Sequence, residues 1–244
     1  MSPLCRSIAC YILVSFSVSA EYLVPYTSAS PAIDGIEEAS LFSRANWQKM
    51  DQLWDGSWPD TDDFSGRYKL IWNEAGLYLL AEIQDDILYD NNPDPLVGYW
   101  SDDCLEIFVD PDASGGDHQY NHSAYAYHVS LDNQVVDLHT NKRAILLSDH
   151  VQTAWRRSLS SPHIITWEAR IQLVPEQGEN IPAAKQAMAL QKDHQFGFML
   201  SYCDNDGSEV REHFVGSHPI EPAEGSRNRG WIDASVFGAT RLVK

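Results

Sequence analysis

One stretch of the sequence, Trp100–Glu106 (WSDDCLE), places an aromatic side chain close before an acidic one. Apolar alternation from Leu105 to Val109 predicts a strand with a core face, and Glu106 then points to the opposite face beside Trp100. An indole offers a flat apolar surface to a sugar ring, and a carboxylate accepts hydrogen bonds from hydroxyl groups. The pair is therefore a candidate saccharide site. The alternative is a solvated Glu106 next to a tryptophan that caps the core.

The sequence has none of the common catalytic motifs: no GxSxG, no HExxH, no glycine-rich phosphate loop and no Cys/His set with metal-ligand spacing. Two carboxylates suffice for glycosidic cleavage, and Glu106 with Asp102, Asp103 or Glu168 could supply them. A chain with 35 acidic residues contains such pairs by chance, however. We therefore expect a protein without catalytic activity.

Period-two alternation dominates the chain and predicts at least six strands. The clearest examples are residues 76–83, 104–109, 124–131, 164–173 and 195–203. A helix is predicted only over Pro182–Lys192, which begins with proline and is rich in alanine. Segment 44–66 lacks periodicity and is expected to form long loops. These features predict an all-β fold, an antiparallel, jelly-roll-like β-sandwich with one short helix.

Residues 1–20 have the pattern of a secretory signal peptide: Arg6, an apolar run over Ile8–Val18, and a small-residue cleavage pattern that ends at Ala20. The run is too short to span a membrane as a helix. We therefore expect residues 21–244 to form one mature domain that is secreted or periplasmic, with no membrane insertion.

The net charge of −18 argues against nucleic acid as a partner, because phosphate backbones repel an acidic surface. The same surface tolerates neutral sugars and favours divalent cations, and we expect a monomer. Of the four cysteines, Cys5 and Cys10 belong to the predicted signal peptide. The mature chain keeps Cys104 and Cys203, either as a disulfide formed in an oxidising compartment or as two buried thiols.

Over roughly residues 25–244, the chain resembles the family 9 carbohydrate-binding modules, β-sandwiches attached to secreted glycan-degrading enzymes. The resemblance rests on residues 31–35 (PAIDG), 69–73 (KLIWN), 77–79 (LYL), 100–106 (WSDDCLE) and 237–244 (FGATRLVK). It implies non-catalytic binding of an oligo- or polysaccharide, by mono- or disaccharide units or chain ends of cellulose or xylan type. Association with glycoside hydrolases in polysaccharide breakdown would fit this role.

Family members hold the sugar between two tryptophans, with hydrogen bonds from a glutamate, an arginine, asparagines and a glutamine. The resemblance assigns the tryptophans to Trp100 and Trp231. It assigns the glutamate to Glu106 and one asparagine to Asn228. Four carbohydrate-binding positions of this sequence therefore match the family pattern.

Three further positions depart from that pattern: His128 replaces the arginine, Ser130 an asparagine and Ser201 the glutamine. These side chains leave fewer and shorter donors, so the preferred sugar stays open. Related cytochrome domains bind a b-type haem through a histidine and a methionine or lysine. His128 and Met199 share the non-core face of their strands, which makes haem binding the alternative function. A structural or adhesive surface protein is a third possibility.

The resemblance also implies calcium as a structural ion. Oxygen ligands are available in the acid-rich turns, where the candidates are Asp110, Asp112, Asp117, Asp204 and Asp206. Any one of these turns could equally be solvated, so the sequence leaves the ligands open.

Overall fold

The computed structural model describes residues 20–175 and 181–244, so the predicted signal peptide lies outside the described residues except for Ala20. Within the described part, fourteen strands form two sheets. The strands are β1 (Tyr22–Pro25), β2 (Gln48–Met50), β3 (Gln52–Gly56), β4 (Phe64–Asn73), β5 (Gly76–Asp85), β6 (Cys104–Asp110), β7 (Tyr125–Ser130), β8 (Val135–Leu138), β9 (Ala144–Leu146), β10 (Val151–Arg157), β11 (Ile164–Ile171), β12 (Gln195–Asp204), β13 (His213–Gly216) and β14 (Gly238–Val243). The helical elements are α1 (Ala39–Phe42), α2 (Ala183–Gln186) and a 3-10 helix (Ala234–Val236).

The larger sheet runs in the order β1-β14-β12-β6-β7-β8-β9, and β13 and β3 extend from β12. The smaller sheet has the order β10-β11-β5-β4-β2. Strands β1 and β14 pair in parallel, and the other strand pairs are antiparallel. The prediction of an all-β sandwich is confirmed.

The main core lies between the sheets and contains the residues that the period-two pattern places inside. On β6 these are Leu105, Ile107 and Val109, all at most 1% exposed. The corresponding face of β11 contributes Trp167, whose indole nitrogen donates to Thr153 Oγ1 at 2.7 Å. The core face of each predicted strand is therefore the buried inner face of a sheet.

Two local predictions were wrong. The helix predicted over Pro182–Lys192 is only the four-residue α2, because Ala187 has extended backbone angles and the Met188 amide donates to the Leu173 carbonyl. Segment 44–66 contains β2, β3 and the start of β4 rather than long loops. β2 and β3 form because they pair with β4 and β13, and strands of three and five residues are too short to show a clear period-two pattern.

No helix among the described residues is long and apolar enough to cross a membrane. This finding concerns residues 20–175 and 181–244 and does not bear on the predicted signal peptide.

The Trp167→Ala substitution should lower the free energy of unfolding by about 3–5 kcal/mol, because it opens a cavity in the core and removes the partner of Thr153. Urea denaturation of the variant measures this change. Trp58→Ala is the matched control, because Trp58 is 63% exposed and its truncation should stay within about 0.5 kcal/mol. Equal losses in the two variants would contradict the assigned core.

Candidate functional site

The outer face of the larger sheet carries polar and sulfur-bearing side chains where β12, β6 and β7 lie side by side. Ser201, Glu106 and His128 form one row across these strands, since Glu106 pairs with Ser201 on one side and with His128 on the other. Cys104 pairs with Cys203 in the next outward-facing row. Alternation that buries one face of each strand thus gathers these groups on the other.

A cavity of about 490 Å³ lies over this row of side chains. Five of the seven carbohydrate-binding positions predicted from sequence line it: Trp100, Glu106, His128, Asn228 and Trp231. The lining also includes residues that the sequence did not single out, among them Tyr99, Asp137 and Arg211.

The carboxylate of Glu106 lies at the floor of the cavity and is only 2% exposed. Its Oε1 atom is 2.6 Å from His128 Nε2, 3.2 Å from Arg211 Nη1 and 3.2 Å from Cys203 Sγ. Burial raises the pKa of Glu106, but His128 and Arg211 outweigh burial and hold the pKa below its usual value. Glu106 is therefore a carboxylate at neutral pH, fixed in position by three donors.

His128 faces hydrogen-bond acceptors with both ring nitrogens. Nδ1 is 3.1 Å from the Ala126 carbonyl oxygen, and Nε2 faces Glu106. The ring of Tyr99 packs edge-on against His128, with centroids 4.7 Å apart.

Arg211 supplies a guanidinium that sequence reasoning missed. It lies in the connection between β12 and β13, and its side chain is 9% exposed. The guanidinium stacks on Phe214, with 3.7 Å between its carbon and the ring centroid, and Nη1 donates to Glu106 Oε1 and to Cys203 Sγ. The cavity thus contains an arginine although the strand position expected to hold one is His128. The only sequence signal was a lone basic residue in an acidic segment.

The two tryptophans reach the cavity from loops. Trp100 is 45% exposed and packs edge-on against Tyr99, with centroids 4.9 Å apart. Trp231 is half-buried beside Phe108 and Met199. The preceding Gly230 approaches these residues so closely that a Cβ there would lie 2.4 Å from Met199 Cε. A larger residue here would force Met199 and Phe108, or the loop that presents Trp231, to move.

The loop that carries Trp100 is anchored by the two aspartates that follow it. Asp103 accepts from the Tyr89 amide at 2.6 Å and from the Asn205 amide at 2.8 Å. Asp102 accepts from the Asn92 amide at 2.8 Å. These residues were considered as catalytic acids, but their carboxylates hold the backbone of the loop in place.

The remaining two carbohydrate-binding candidates lie elsewhere. The hydroxyl of Ser201 is fully buried beside Glu106 and has no hydrogen-bond partner among the described residues. Ser130 accepts from the Gln134 amide at 3.2 Å, which ties it into the turn after β7, and it borders a smaller neighbouring cavity. Neither residue lines the main cavity.

The residues considered for other chemistry are not brought together. Met199 is fully buried under Gly230 and does not line the cavity with His128, so the pair does not frame a haem site. Glu168 lies on β11 in the other sheet, where its Oε2 accepts from the amides of Asp34 and Gly35. It is therefore separated from Glu106 and does not form an acid pair with it.

Asp137 is a further carboxyl group at the cavity wall. It is 9% exposed and accepts from the backbone amides of Ala126 and Leu138. Burial raises the pKa of Asp137 to about 7, although these hydrogen bonds act in the opposite direction. A carboxyl group with such a pKa is partly protonated at neutral pH and can then donate a hydrogen bond.

A second cluster, of acidic residues, lies between the sheets at the ends of β5, β6 and β12. Asp85, Asp103 and Asp204 are buried, and each directs an oxygen to within 4.8 Å of the others. Burial raises the pKa of Asp103 to about 9, of Asp204 to about 8 and of Asp85 to about 6, and repulsion among the aspartates adds to the first two shifts.

These residues fit a calcium ion. Asp85 Oδ1 and Asp204 Oδ1 are buried and have no hydrogen-bond partner in the described part of the chain, while Tyr202 donates to Asp85 Oδ2. Calcium takes oxygen ligands about 2.4 Å away, so ligands of one ion lie up to about 4.8 Å apart. Asp63 adjoins the cluster and also has an unpartnered oxygen. Buried carboxyl groups without cationic partners either take up a proton or are balanced by a cation.

The structure separates the five calcium candidates named from sequence. Asp204 belongs to the buried cluster, and Asp206 lies near it with Asp63 and Asp86. Asp110 is buried and bonded to the Gly115 amide at 2.7 Å, and Asp117 accepts from the Gln119 amide. Asp110, Asp112 and Asp117 do not converge on one point as the buried cluster does.

The overall fold matches two solved structures from Caldicellulosiruptor kristjanssonii. A family 9 carbohydrate-binding module in complex with cellotriose is 18% identical, with a TM-score of 0.64 over 92% of this chain and 94% of that chain. A family 9 module in complex with glucose is 17% identical, with a TM-score of 0.62 over 90% of this chain and 95% of that chain. A comparison with curated protein sequences gives no significant match.

A family model described as "Carbohydrate family 9 binding domain-like" matches residues 33–244. This match covers every strand except β1 and every residue that lines the cavity. The chain belongs to the carbohydrate family 9 binding-domain-like family.

Proposed function

We propose that the protein binds carbohydrate without cleaving it, and that the cavity holds mono- or disaccharide units or chain ends of a cellulose- or xylan-type polysaccharide. The observation that carries this proposal is that Trp100, Trp231, Glu106 and Arg211 line one cavity. The fold and family add support, since two modules of similar fold are described in complex with cellotriose and with glucose.

The cavity has the size and chemistry that a sugar requires. Its volume of about 490 Å³ falls within the usual range for small-molecule sites, about 300–1,000 Å³. Aromatic walls can pack against the C–H faces of a pyranose, while the charged floor exchanges hydrogen bonds with its hydroxyls. The carboxylates of Glu106 and Asp55 on the lining disfavour an anionic ligand. A neutral saccharide is the ligand class that meets these conditions.

Each lining residue then has a defined role. Trp100 and Trp231 stack on the sugar, Glu106 accepts from a hydroxyl, and Arg211 and Asn228 donate to sugar oxygens. His128, which pairs with Glu106 across β6 and β7, holds the Glu106 carboxylate in place from the side. We further propose that the protein is exported and binds glycans that associated glycoside hydrolases break down.

We also propose that Asp85, Asp103 and Asp204 hold a structural calcium ion. An ion there would supply the positive charge that these buried carboxylates lack. Because Asp103 also anchors the loop that carries Trp100, the ion would stabilise that loop from the side away from the cavity.

Trp100→Ala and Trp231→Ala should each weaken saccharide binding by at least about 30-fold, equivalent to about 2 kcal/mol, because each removes an apolar stacking surface. Isothermal titration with glucose, cellobiose, xylobiose and soluble xylan measures the change and identifies the ligand. Trp58→Ala is the control, because Trp58 is exposed and does not line the cavity. Unchanged binding in both variants with unchanged melting temperatures would refute the proposed role of the tryptophans.

Arg211→Lys should weaken binding by about 10-fold, because an ammonium keeps the charge but not the planar donors that Glu106 and Cys203 engage. Arg67→Lys is the matched control, since Arg67 forms an exposed ion pair with Glu82 on the smaller sheet. Titration with the sugar that binds wild type gives the comparison. Equal affinities for Arg211→Lys and wild type would remove Arg211 from the site.

The calcium proposal predicts how stability depends on pH. The pKa values of Asp103 and Asp204, about 9 and about 8, exceed the unfolded value of about 3.9, so the folded state binds more protons over this range. The metal-free protein should therefore lose stability as pH rises from about 4 to about 9. Calcium binds the ionised carboxylates and should reduce that loss. Thermal melts with chelator and with calcium test both statements.

The Asp204→Asn substitution removes the negative charge of this side chain but keeps its size and shape. At pH 8 with chelator the variant should melt above wild type, because one buried charge is gone, and with calcium it should gain little. Asp62→Asn removes the same charge from an exposed position and should behave as wild type. A calcium-induced shift in Asp204→Asn as large as in wild type would show that the ion binds elsewhere.

A further inference from the structure

Cys104 and Cys203 face each other beside Glu106, in the next row of the same outer sheet face. They are directly paired across β6 and β12, both are free thiols, and they are 1% and 0% exposed. Their sulfur atoms lie within 4.8 Å of each other and of a Glu106 oxygen. Directly opposed residues of antiparallel strands have Cα atoms about 4.5 or 5.5 Å apart, and both values fall within the range of disulfides, about 4.4–6.8 Å. Side-chain rotation is therefore enough to join them.

We propose that Cys104 and Cys203 are joined by a disulfide when the chain matures in an oxidising compartment, and that this bond raises the affinity of the cavity for its sugar. The second part rests on the proposed function. The first part rests on strand register and sulfur geometry alone, and it agrees with the predicted signal peptide.

The bond would change the hydrogen bonding of two cavity residues. In the dithiol state Cys203 Sγ donates to Glu106 Oε1 at 3.2 Å and accepts from Arg211 Nη1 at 3.1 Å. A disulfide has no S–H group, so Glu106 Oε1 would keep two of its three donors and gain capacity to accept from a sugar hydroxyl. The link also fixes β6 against β12, which lowers the ordering cost of binding.

The oxidation balances as thiol–disulfide exchange. One cysteine thiolate attacks a sulfur of a small-molecule or protein disulfide and expels a thiolate, which takes up a proton. The second cysteine then attacks the mixed disulfide, forms the Cys104–Cys203 bond and releases a second thiol. Two electrons and two protons pass to the oxidant. Because both cysteines are buried in the folded chain, we expect the bond to form during folding and to resist later reduction.

A thiolate-bound metal ion is the competing occupant, since Cys104, Cys203 and Glu106 could together ligate one. The guanidinium of Arg211 already lies within 3.2 Å of Cys203 Sγ and of Glu106 Oε1, where it meets the charge requirement that a cation would fill. Burial also raises the pKa of Cys104 well above its usual value, which opposes the thiolate form that a metal requires. The geometry therefore favours the disulfide.

The test compares full-length protein exported to a bacterial periplasm with the same protein reduced by a phosphine in denaturant and refolded under reducing conditions. After denaturation and alkylation, the exported protein should carry no label on Cys104 or Cys203, and its mass should be about 2 Da below the dithiol mass. It should melt at a higher temperature and bind the sugar about 3- to 10-fold more tightly than the reduced form. The Cys104→Ser/Cys203→Ser double variant is the control, and its two preparations should bind alike.

Labelling of both cysteines in the exported protein, or a stoichiometric thiol-bound zinc ion, would overturn the disulfide. A disulfide with equal affinity in both redox states would overturn its effect on the cavity. Failure of both forms to bind any saccharide would instead refute the proposed function and with it the effect on affinity, while the mass and melting data still decide the bond.

Discussion

A carboxylate that is 2% exposed keeps its charge only if donors surround it, and the arrangement around Glu106 follows from that requirement. Arg211 supplies the opposing charge, His128 Nε2 lies 2.6 Å from the carboxylate, and Cys203 supplies a weaker contact. These partners come from β7, β12 and the connection between β12 and β13, so the larger sheet must form before Glu106 is satisfied. Once satisfied, the carboxylate is held rigidly at the floor of an open cavity. Such fixed charge is costly for a fold and useful for recognition of a polar ligand.

The acidic character of the chain has two structural consequences at the loop that carries Trp100. Asp102 and Asp103 accept backbone amides and so define the path of this loop, which compensates part of the cost of their burial. One buried oxygen each of Asp102, Asp85 and Asp204 has no hydrogen-bond partner among the described residues. Through Asp103, which has an oxygen within 4.8 Å of Asp85 and Asp204, the loop connects the wall of the cavity to the buried acidic cluster.

The sequence alone predicted which side chains lie on each face of the sheets. It did not predict every residue that reaches the site from a loop. Strand alternation places Leu105 in the core and Glu106 opposite it, because one face of the strand must be buried. Arg211 was not predicted as a site residue because it lies in a connection without periodicity. Only the hairpin that pairs Asp204 with His213 directs it toward Glu106. The serine assigned by resemblance, Ser201, has the right strand and face but is too short to emerge beyond its neighbours.

The buried aspartates and the group formed by Glu106, Arg211 and the two cysteines lie on opposite faces of β6 and β12. Asp103, directly before β6, and Asp204, at the end of β12, lie on the core side, while their immediate neighbours Cys104 and Cys203 lie on the outer side in the row next to Glu106. A cation bound by the aspartates would neutralise the core side without entering the cavity, and a link between the cysteines would restrain the outer side without touching the aspartates. The alternation that creates the sandwich thus allows stability and ligand binding to be adjusted from different faces of two strands.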